Sequence, residues 1–222
     1  MDNATMIVAC KTVEDELALA MERTGVEYPA LWVESGLHNA PKKLRERIQE
    51  LLDGVPADVT RVLLAFGTCG NSLEGVRAGS FEMVLPRVDD CISLLLGSVA
   101  ARRELMRADP AIFLTDGWMR GERNVWVEYT YMVEKYGEEQ AADLIEMMYG
   151  HYDTLGLIDD GAYDVGRLWE EAEPIERALG LTRKVYPGNV TYLEELLRGP
   201  WPADRFVVKS PHEAFGAADM RV

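Results

Sequence analysis

Short runs of β-branched and aliphatic residues alternate along this chain with longer segments of helical period. This alternation is typical of βαβ units, in which parallel strands are joined by crossing helices. The strand candidates are 6–9, 30–33, 61–66, 81–85, 112–114, 155–158, 182–185 and 206–208. The sequence therefore predicts an α/β fold: a single Rossmann-like, three-layer domain over residues 1–222, with a mostly parallel sheet and helices on both of its faces.

The segments between the strand candidates are predicted to be helical. Asn39 suits the N-cap of one such helix and Pro41 suits its first turn. No low-complexity segment or break in composition marks a linker, which favours one domain over two. The predicted helices are 13–23, 41–52, one that begins near Asn71, 91–98, 125–136, 138–149 and 165–179.

The charge balance restricts the class of partner. A formal net charge of −15 and a pI near 4.6 would repel nucleic acid and anionic membranes, since both are bound through clustered Lys and Arg. No leader segment opens the sequence, and no apolar run approaches the roughly 20 residues that cross a bilayer. We expect a cytoplasmic protein that acts on a small molecule rather than on nucleic acid or a membrane.

The cysteines occupy similar places in the predicted fold. Cys10 closes the first strand, Cys69 follows the third within GTCGN, and Cys91 follows the fourth within PRVDDC. Three cysteines far apart in a reducing compartment do not predict disulfides. The loops after parallel strands share one edge of the sheet, and ligands collect there where the strand order reverses. If these strands are neighbours, the three thiols converge and become candidate metal ligands.

Residues near the cysteines support this interpretation. Gly67 and Gly70 permit a tight turn and close backbone approach, and a helix starting just after Cys69 would lower the pKa of its thiol. Arg87 could balance negative charge, and His38 could be a fourth ligand or an acid–base group. Three thiolates suit zinc with an open or histidine-filled fourth position, or a four-iron cluster with one iron free for substrate.

Other interpretations of the same residues stay open. Free cysteine often behaves as a small buried hydrophobe, and the sequence has no CxxC pair. Cys69 or Cys91 could instead be a nucleophile that His38 activates, with Asp89 or Asp90 as the orienting group. The GTCGNSLEG segment lacks the lysine of a phosphate-binding loop and is not GxGxxG, which disfavours a nucleotide site.

Several segments together resemble a known family. They are VAC, LHNAP, FGTCGNSLEG, PRVDDCISLLLGS and FLTDGW, and they resemble the prokaryotic proteins grouped as domain of unknown function 1638. The likeness covers the first half well and extends to about Asp159. It implies that Cys10, His38, Cys69 and Cys91 act as a set. Some relatives carry histidine at the position of Asp90.

The resemblance also implies a biological setting. Members of this family are often found beside corrinoid-dependent methyltransferases, which implies a role in methyl transfer or one-carbon metabolism and a corrinoid protein or methyltransferase as partner. We expect a zinc or iron–sulfur protein whose cysteine-bound metal acts on a small molecule, as a metal-dependent transferase or lyase, with Arg87 and Asp90 beside the metal. The alternatives are a metal-binding accessory or sensor protein without turnover and a metal-free cysteine enzyme.

Overall fold

The computed structural model describes residues 4–121 and 123–221. The strands are β1 Ala4–Cys10, β2 Ala30–Val33, β3 Val59–Ala65, β4 Glu82–Pro86, β5 Ala111–Leu114, β6 Thr154–Asp159, β7 Thr182–Pro187 and β8 Phe206–Lys209. The α-helices are α1 Glu14–Thr24, α2 Pro41–Asp53, α3 Cys91–Leu95, α4 Val99–Ala108, α5 Asp116–Met119, α6 Val125–Tyr136, α7 Glu138–Tyr149, α8 Val165–Glu171, α9 Glu173–Leu179 and α10 Thr191–Arg198. The predicted α/β class is confirmed.

The strands are divided between two sheets rather than forming one. The first sheet has the order β2-β1-β3-β4-β8, and the second has the order β5-β6-β7. All neighbouring strands are parallel except β8, which pairs antiparallel with β4. Because β8 pairs with β4, the edge of the first sheet beside β4 is occupied. Strand β5 pairs with β6 in the second sheet instead.

The first sheet is buried on both faces, as a three-layer arrangement requires. Alternate residues of a strand point to opposite faces, so Ile7 and Val8 of β1 belong to different buried clusters. One face packs against α1, α3 and α10, and the other against α2. Helix α2 contributes an apolar stripe of Leu44, Ile48 and Leu52, which are spaced by one turn.

The second sheet packs against the first at the carboxyl end of β1. Ala111, Phe113 and Ile158 of the second sheet belong to the same buried cluster as Ile7. An ideal Cβ built on Gly117 of α5 would lie 2.2 Å from the Thr12 carbonyl oxygen. Backbone therefore touches backbone between α5 and the short 3-10 helix, Lys11–Val13, that follows β1.

The predicted helix beginning near Asn71 is wrong. Residues 69–75 form turns, and Cys69, Gly70 and Asn71 have φ values of 43°, 66° and 64°. Three consecutive residues in the left-handed region cannot begin a right-handed helix. The expectation that a helix terminus lowers the pKa of the Cys69 thiol therefore has no structural basis.

Two further differences follow from local sequence. The predicted helix 165–179 is divided into α8 and α9, and Pro174 stands in the first turn of α9, where its missing N–H is tolerated. The predicted helix 91–98 ends at Leu95, and α4 follows with Ser98 as its N-cap. Among the described residues, no helix combines the length and apolar character needed to span a membrane.

Candidate functional site

The strand order brings the cysteines together as predicted. Strands β1, β3 and β4 are direct neighbours, and their carboxyl ends lie at one edge of the first sheet. Cys10 is the last residue of β1, and Cys91 is the first residue of α3. The Cys91 thiol interacts with both the Cys10 thiol and the Cys69 thiol. Cys91 is thus the centre of a row of thiols.

Burial and mutual contact set the protonation of these thiols. Contact with Cys91, together with burial, raises the pKa of Cys10 well above its ordinary value. Contact with Cys10 lowers the pKa of Cys91, but contact with Cys69 and complete burial outweigh it, so the pKa is again well above the ordinary value. The Cys10 Sγ also lies 3.0 Å from Thr12 Oγ1. Both groups are neutral thiols at neutral pH when nothing else is bound.

Backbone contact between two loops brings Cys69 close to Cys91. The Cys69 N–H donates to the Asp89 carbonyl at 2.9 Å, and the Thr68 N–H donates to the Val88 carbonyl at 2.9 Å. An ideal Cβ on Gly67 would lie 2.4 Å from the Asp90 Cα. Glycine at this position is therefore what permits the loops after β3 and β4 to touch, which is the close approach expected of Gly67.

A cavity of about 420 Å³ opens beside the thiols. This volume lies within the range of small-molecule sites, which is roughly 300–1,000 Å³. The first sheet contributes the cysteines and Gly70, whereas Phe113, Trp118 and Tyr152 come from the region around the second sheet. Trp118 belongs to the FLTDGW segment, one of those that carry the family resemblance, and it forms part of the wall. The cavity is thus enclosed by both sheets together.

Asp90 has a structural task in addition to its place beside the cavity. Its Oδ1 caps α3 by accepting a hydrogen bond from the Ser93 N–H at 2.8 Å. Its Oδ2 lies 3.0 Å from the Arg102 Nη1, which also lies 3.3 Å from Asp89 Oδ2. Burial raises the pKa of Asp90, although the Arg102 guanidinium acts in the opposite direction.

The cation in the cavity wall is Arg102 rather than the predicted Arg87. The Arg87 Nε donates to the Ala203 carbonyl at 2.7 Å, and Arg87 does not line the cavity. Arg102 belongs to α4, a helix that the sequence analysis did not predict. In the sequence Arg102 is one of two adjacent arginines, and no local pattern marks it as a site residue.

His38 lies where the loop after β2 reaches the cavity. It belongs to the short 3-10 helix Leu37–Asn39, and its ring centroid lies 4.8 Å from that of Trp118. Burial lowers the pKa of His38, against the opposing influence of Glu128 and Asp90. A neutral imidazole can accept a proton or donate an electron pair to a metal. Glu128, on α6, is a neighbour that the sequence did not indicate.

The donor set is soft, since thiol sulfur suits zinc, copper(I) and iron–sulfur clusters. Within residues 4–121 and 123–221, no group of three or more His, Cys, Asp and Glu side chains is positioned as ligands to a metal ion. The thiols nevertheless contact one another through Cys91. Binding of one ion by all three would therefore require their side chains to turn toward a common point.

These features define an α/β protein with a thiol-lined cavity between two sheets. The family model described as "Protein of unknown function (DUF1638)" matches residues 32–197. The chain belongs to this family. The matched range includes His38, Cys69 and Cys91, whereas Cys10 precedes it. No curated protein and no solved structure matches the chain.

Proposed function

We propose that Cys10, Cys69 and Cys91 bind a metal that acts on a small molecule in the adjoining cavity. The observation that carries the proposal is the position of Cys91, whose thiol interacts with both of the others at the wall of a cavity of about 420 Å³. All three cysteines also pack in or against the buried clusters of the first sheet, so their meeting at the cavity wall, rather than their burial, is what supports a site.

Ligand type supports a mononuclear zinc site. Three thiolates are a common ligand set for zinc and leave the fourth position open to a substrate atom. A four-iron cluster with one iron free for substrate uses the same three ligands and is the alternative.

The raised pKa values of Cys10 and Cys91 are a cost that metal binding has to overcome. Metal binding replaces the thiol protons, so a cation offsets the cost of placing thiolates in a buried position. Arg102 holds Asp89 and Asp90 by ion pairs, which keeps their negative charge from adding to that of the thiolates. Asp90 in turn holds the start of α3, and thus Cys91, in place.

The cavity argues for action on a substrate rather than metal storage. Bound zinc would supply Lewis-acid activation of a thiol or methyl acceptor. His38, whose pKa is lowered by burial, is neutral near pH 7 and is placed to accept a proton from a ligand in the cavity. We propose a metal-dependent transferase or lyase. Methyl transfer linked to a corrinoid protein is the reaction that the family resemblance suggests.

The test is metal and acid-labile sulfide analysis of protein purified without oxygen, comparing wild type with Cys91→Ser. We expect about one zinc per chain in wild type, and loss of that zinc in the variant. His38→Asn should retain the metal and lose activity in any assay found, with exposed His212→Asn as its matched control. Circular dichroism checks that each variant is folded.

Other results would separate the alternatives. Iron with sulfide, lost in Cys91→Ser, would replace the mononuclear site with a cluster. Metal that is bound without any ligand binding in the cavity would favour a sensor or accessory protein. Absence of metal from wild-type protein would contradict the proposal, and alkylation of Cys69 or Cys91 would then test a metal-free cysteine enzyme.

A further inference from the structure

A second group of functional side chains lies at the carboxyl edge of the other sheet. Asp116 follows β5 and Asp160 follows β6, while Glu16 approaches them from α1 of the first sheet. Glu16 is 0% exposed and Asp160 is 6% exposed. Ionisable residues are almost never buried to this extent without a partner.

Three of the four carboxyl oxygens of Glu16 and Asp160 lack hydrogen-bond partners. Neither Glu16 Oε1 nor Oε2 has a hydrogen bond, and Asp160 Oδ2 has none either. The other Asp160 oxygen accepts from the Ala162 N–H at 2.9 Å. Among the described residues, the only other buried side-chain atom in this condition is Arg102 Nε. Buried polar atoms without partners are rare in folded proteins and often mark the place of a water or an ion.

Nearby cations are already engaged by other carboxylates. Arg120 pairs with Asp15 and with Asp116, and Arg167 pairs with Asp116 and Glu171. Neither guanidinium forms an ion pair with Glu16 or Asp160 among the described contacts. The Arg120 guanidinium lowers the pKa of Glu16 to some extent without pairing with it, so among the described residues neither buried carboxyl group has an ion-pair partner.

Tyr163 lies in the same region. Its hydroxyl donates to the Ile158 carbonyl. Burial raises the pKa of Tyr163, and Asp160, Glu16 and Asp116 each add to the rise, against a smaller lowering by a hydrogen bond with the Asp116 backbone. The phenolic oxygen therefore lies in the field of all three carboxylates.

A proton alone does not account for the arrangement. Burial raises the pKa of Glu16 to about 8, with a further contribution from Asp160. A proton would neutralise Glu16, yet no hydrogen bond joins the two carboxyl groups, so their unpartnered oxygens would remain unpartnered. A cation neutralises the charge and also coordinates the oxygens.

We propose that a divalent, oxygen-preferring cation of the Mg²⁺ type binds between Glu16 and Asp160. Two carboxylates balance its charge. In the described part of the chain no third His, Cys, Asp or Glu joins them as a ligand. This suits Mg²⁺, which uses one or two carboxylates and fills its other positions with water and neutral oxygens, better than Ca²⁺, which takes six to eight oxygens. The cation ties α1 of the first sheet to β6 of the second.

The experiment is thermal unfolding of chelator-treated full-length protein at pH 7.5, with MgCl₂ or MnCl₂ added. A cation at about 100 times its Kd should raise the Tm of a chain of this size by about 5–10 °C. The rise should be lost in Glu16→Gln and retained in Glu22→Gln, an exposed glutamate on the same helix. It should also be retained in Cys91→Ser, which separates this site from the thiol site.

Two results would overturn the proposal. One is a wild-type Tm that neither Mg²⁺ nor Mn²⁺ changes, and the other is a rise that persists in Glu16→Gln. If Glu16→Gln does not fold, Asp160→Asn takes its place, and titration of wild-type protein followed by the electron paramagnetic resonance signal of free Mn²⁺ gives the stoichiometry. About one Mn²⁺ per chain supports the site, and no stoichiometric binding overturns it.

Discussion

The carboxyl ends of β1, β3 and β4 carry thiols, whereas the carboxyl ends of β5 and β6 carry carboxylates. Both edges are buried. Contacts between thiols, together with burial, raise the pKa values of Cys10 and Cys91 at one edge, and burial raises those of Glu16 and Asp160 at the other. The same position in a parallel sheet is thus equipped with soft donors in one case and hard donors in the other. Strand topology creates the crevice at each edge, and side-chain chemistry sets the kind of ligand that each crevice favours.

The largest expected effect concerns the backbone contact that supports the thiol edge. Gly67→Ala should lower the free energy of unfolding by about 3 kcal/mol, because the new methyl group would overlap backbone that cannot move aside. The nearest Asp90 backbone atoms lie 2.4 Å from an ideal Cβ. Urea unfolding measures the change. Gly54→Ala is the control, since its nearest atoms lie at 3.6 Å; equal losses in both variants would refute the steric explanation.

A crossed metal experiment tests the contrast between soft and hard donors directly. Cys91→Ser should weaken zinc binding by about 100-fold, or about 2.7 kcal/mol, and leave the Mn²⁺ response unchanged. Glu16→Gln should do the reverse. Calorimetric titration of each variant with each ion gives the four affinities. A variant that weakens both ions equally would show that the two edges do not act separately.

Alkylation rates sharpen the comparison within the thiol edge. Cys69 is partly exposed, whereas Cys91 is buried and its pKa is raised. Because the thiolate is the reactive form, iodoacetamide should modify Cys69 at least about 10-fold faster than Cys91 in metal-free protein. Peptide mass spectrometry over time measures both rates. Preferential modification of Cys91 would contradict the order of burial described for the site.

The smallest expected effect is at the opposite end of the second sheet, at Asp109. Hydrogen bonds from Lys184, then Thr154 and Tyr186, lower the pKa of Asp109 to about 2. A lowered carboxyl pKa contributes stability above the ordinary value of 3.8, and that stability is lost as the pH falls toward 2. Asp109→Asn should remove about 1 kcal/mol at pH 7 after allowance for solvent screening, and clearly less at pH 2, where about half of Asp109 is protonated.

Urea unfolding across pH 2–7 would show this difference, with exposed Asp153→Asn as the control. A loss in Asp109→Asn that is constant across the range would mean that the charge of Asp109 does not matter. Such a result would also remove the contrast between the two ends of the second sheet. At the amino end hydrogen bonds keep Asp109 ionised, whereas at the carboxyl end burial opposes the ionisation of Glu16 and Asp160.

Much of the fold could be read from the sequence because strands and helices here follow local patterns. The strand Ala30–Val33 and the helices Val125–Tyr136 and Glu138–Tyr149 have the predicted bounds. The convergence of the cysteines was also predictable, since it needed only parallel strands and neighbouring positions for β1, β3 and β4.

What could not be read depends on contacts between distant segments. The return of β8 to the edge of β4 divides the strands into two sheets, and no local pattern marks that pairing. The left-handed turn after Cys69 needs a positive φ at Asn71. Asparagine tolerates this conformation, but an asparagine in the sequence does not by itself predict it. Arg102 reaches the cavity only because α4 folds back beside α3.

Glu16 is the one missed residue that carried a signal. Glu16, Ala20 and Thr24 are spaced by one helical turn and all are buried. A glutamate in line with the small buried residues of an amphipathic helix is unusual, because such positions are normally apolar. However, Glu16 stands beside Glu14 and Asp15 in the first turn of α1. Acidic residues are common at the start of a helix, so the pattern does not distinguish Glu16 from its neighbours.

The cavity walls come from both sheets, and this has a mechanical consequence. A molecule bound between the cysteines and Trp118 would touch both halves of the structure and resist their separation. Its binding energy would then add to the cohesion between the two sheets, and its release would remove that contribution. The backbone contact of Gly117 on Thr12, by contrast, joins the two regions whether the cavity is filled or empty.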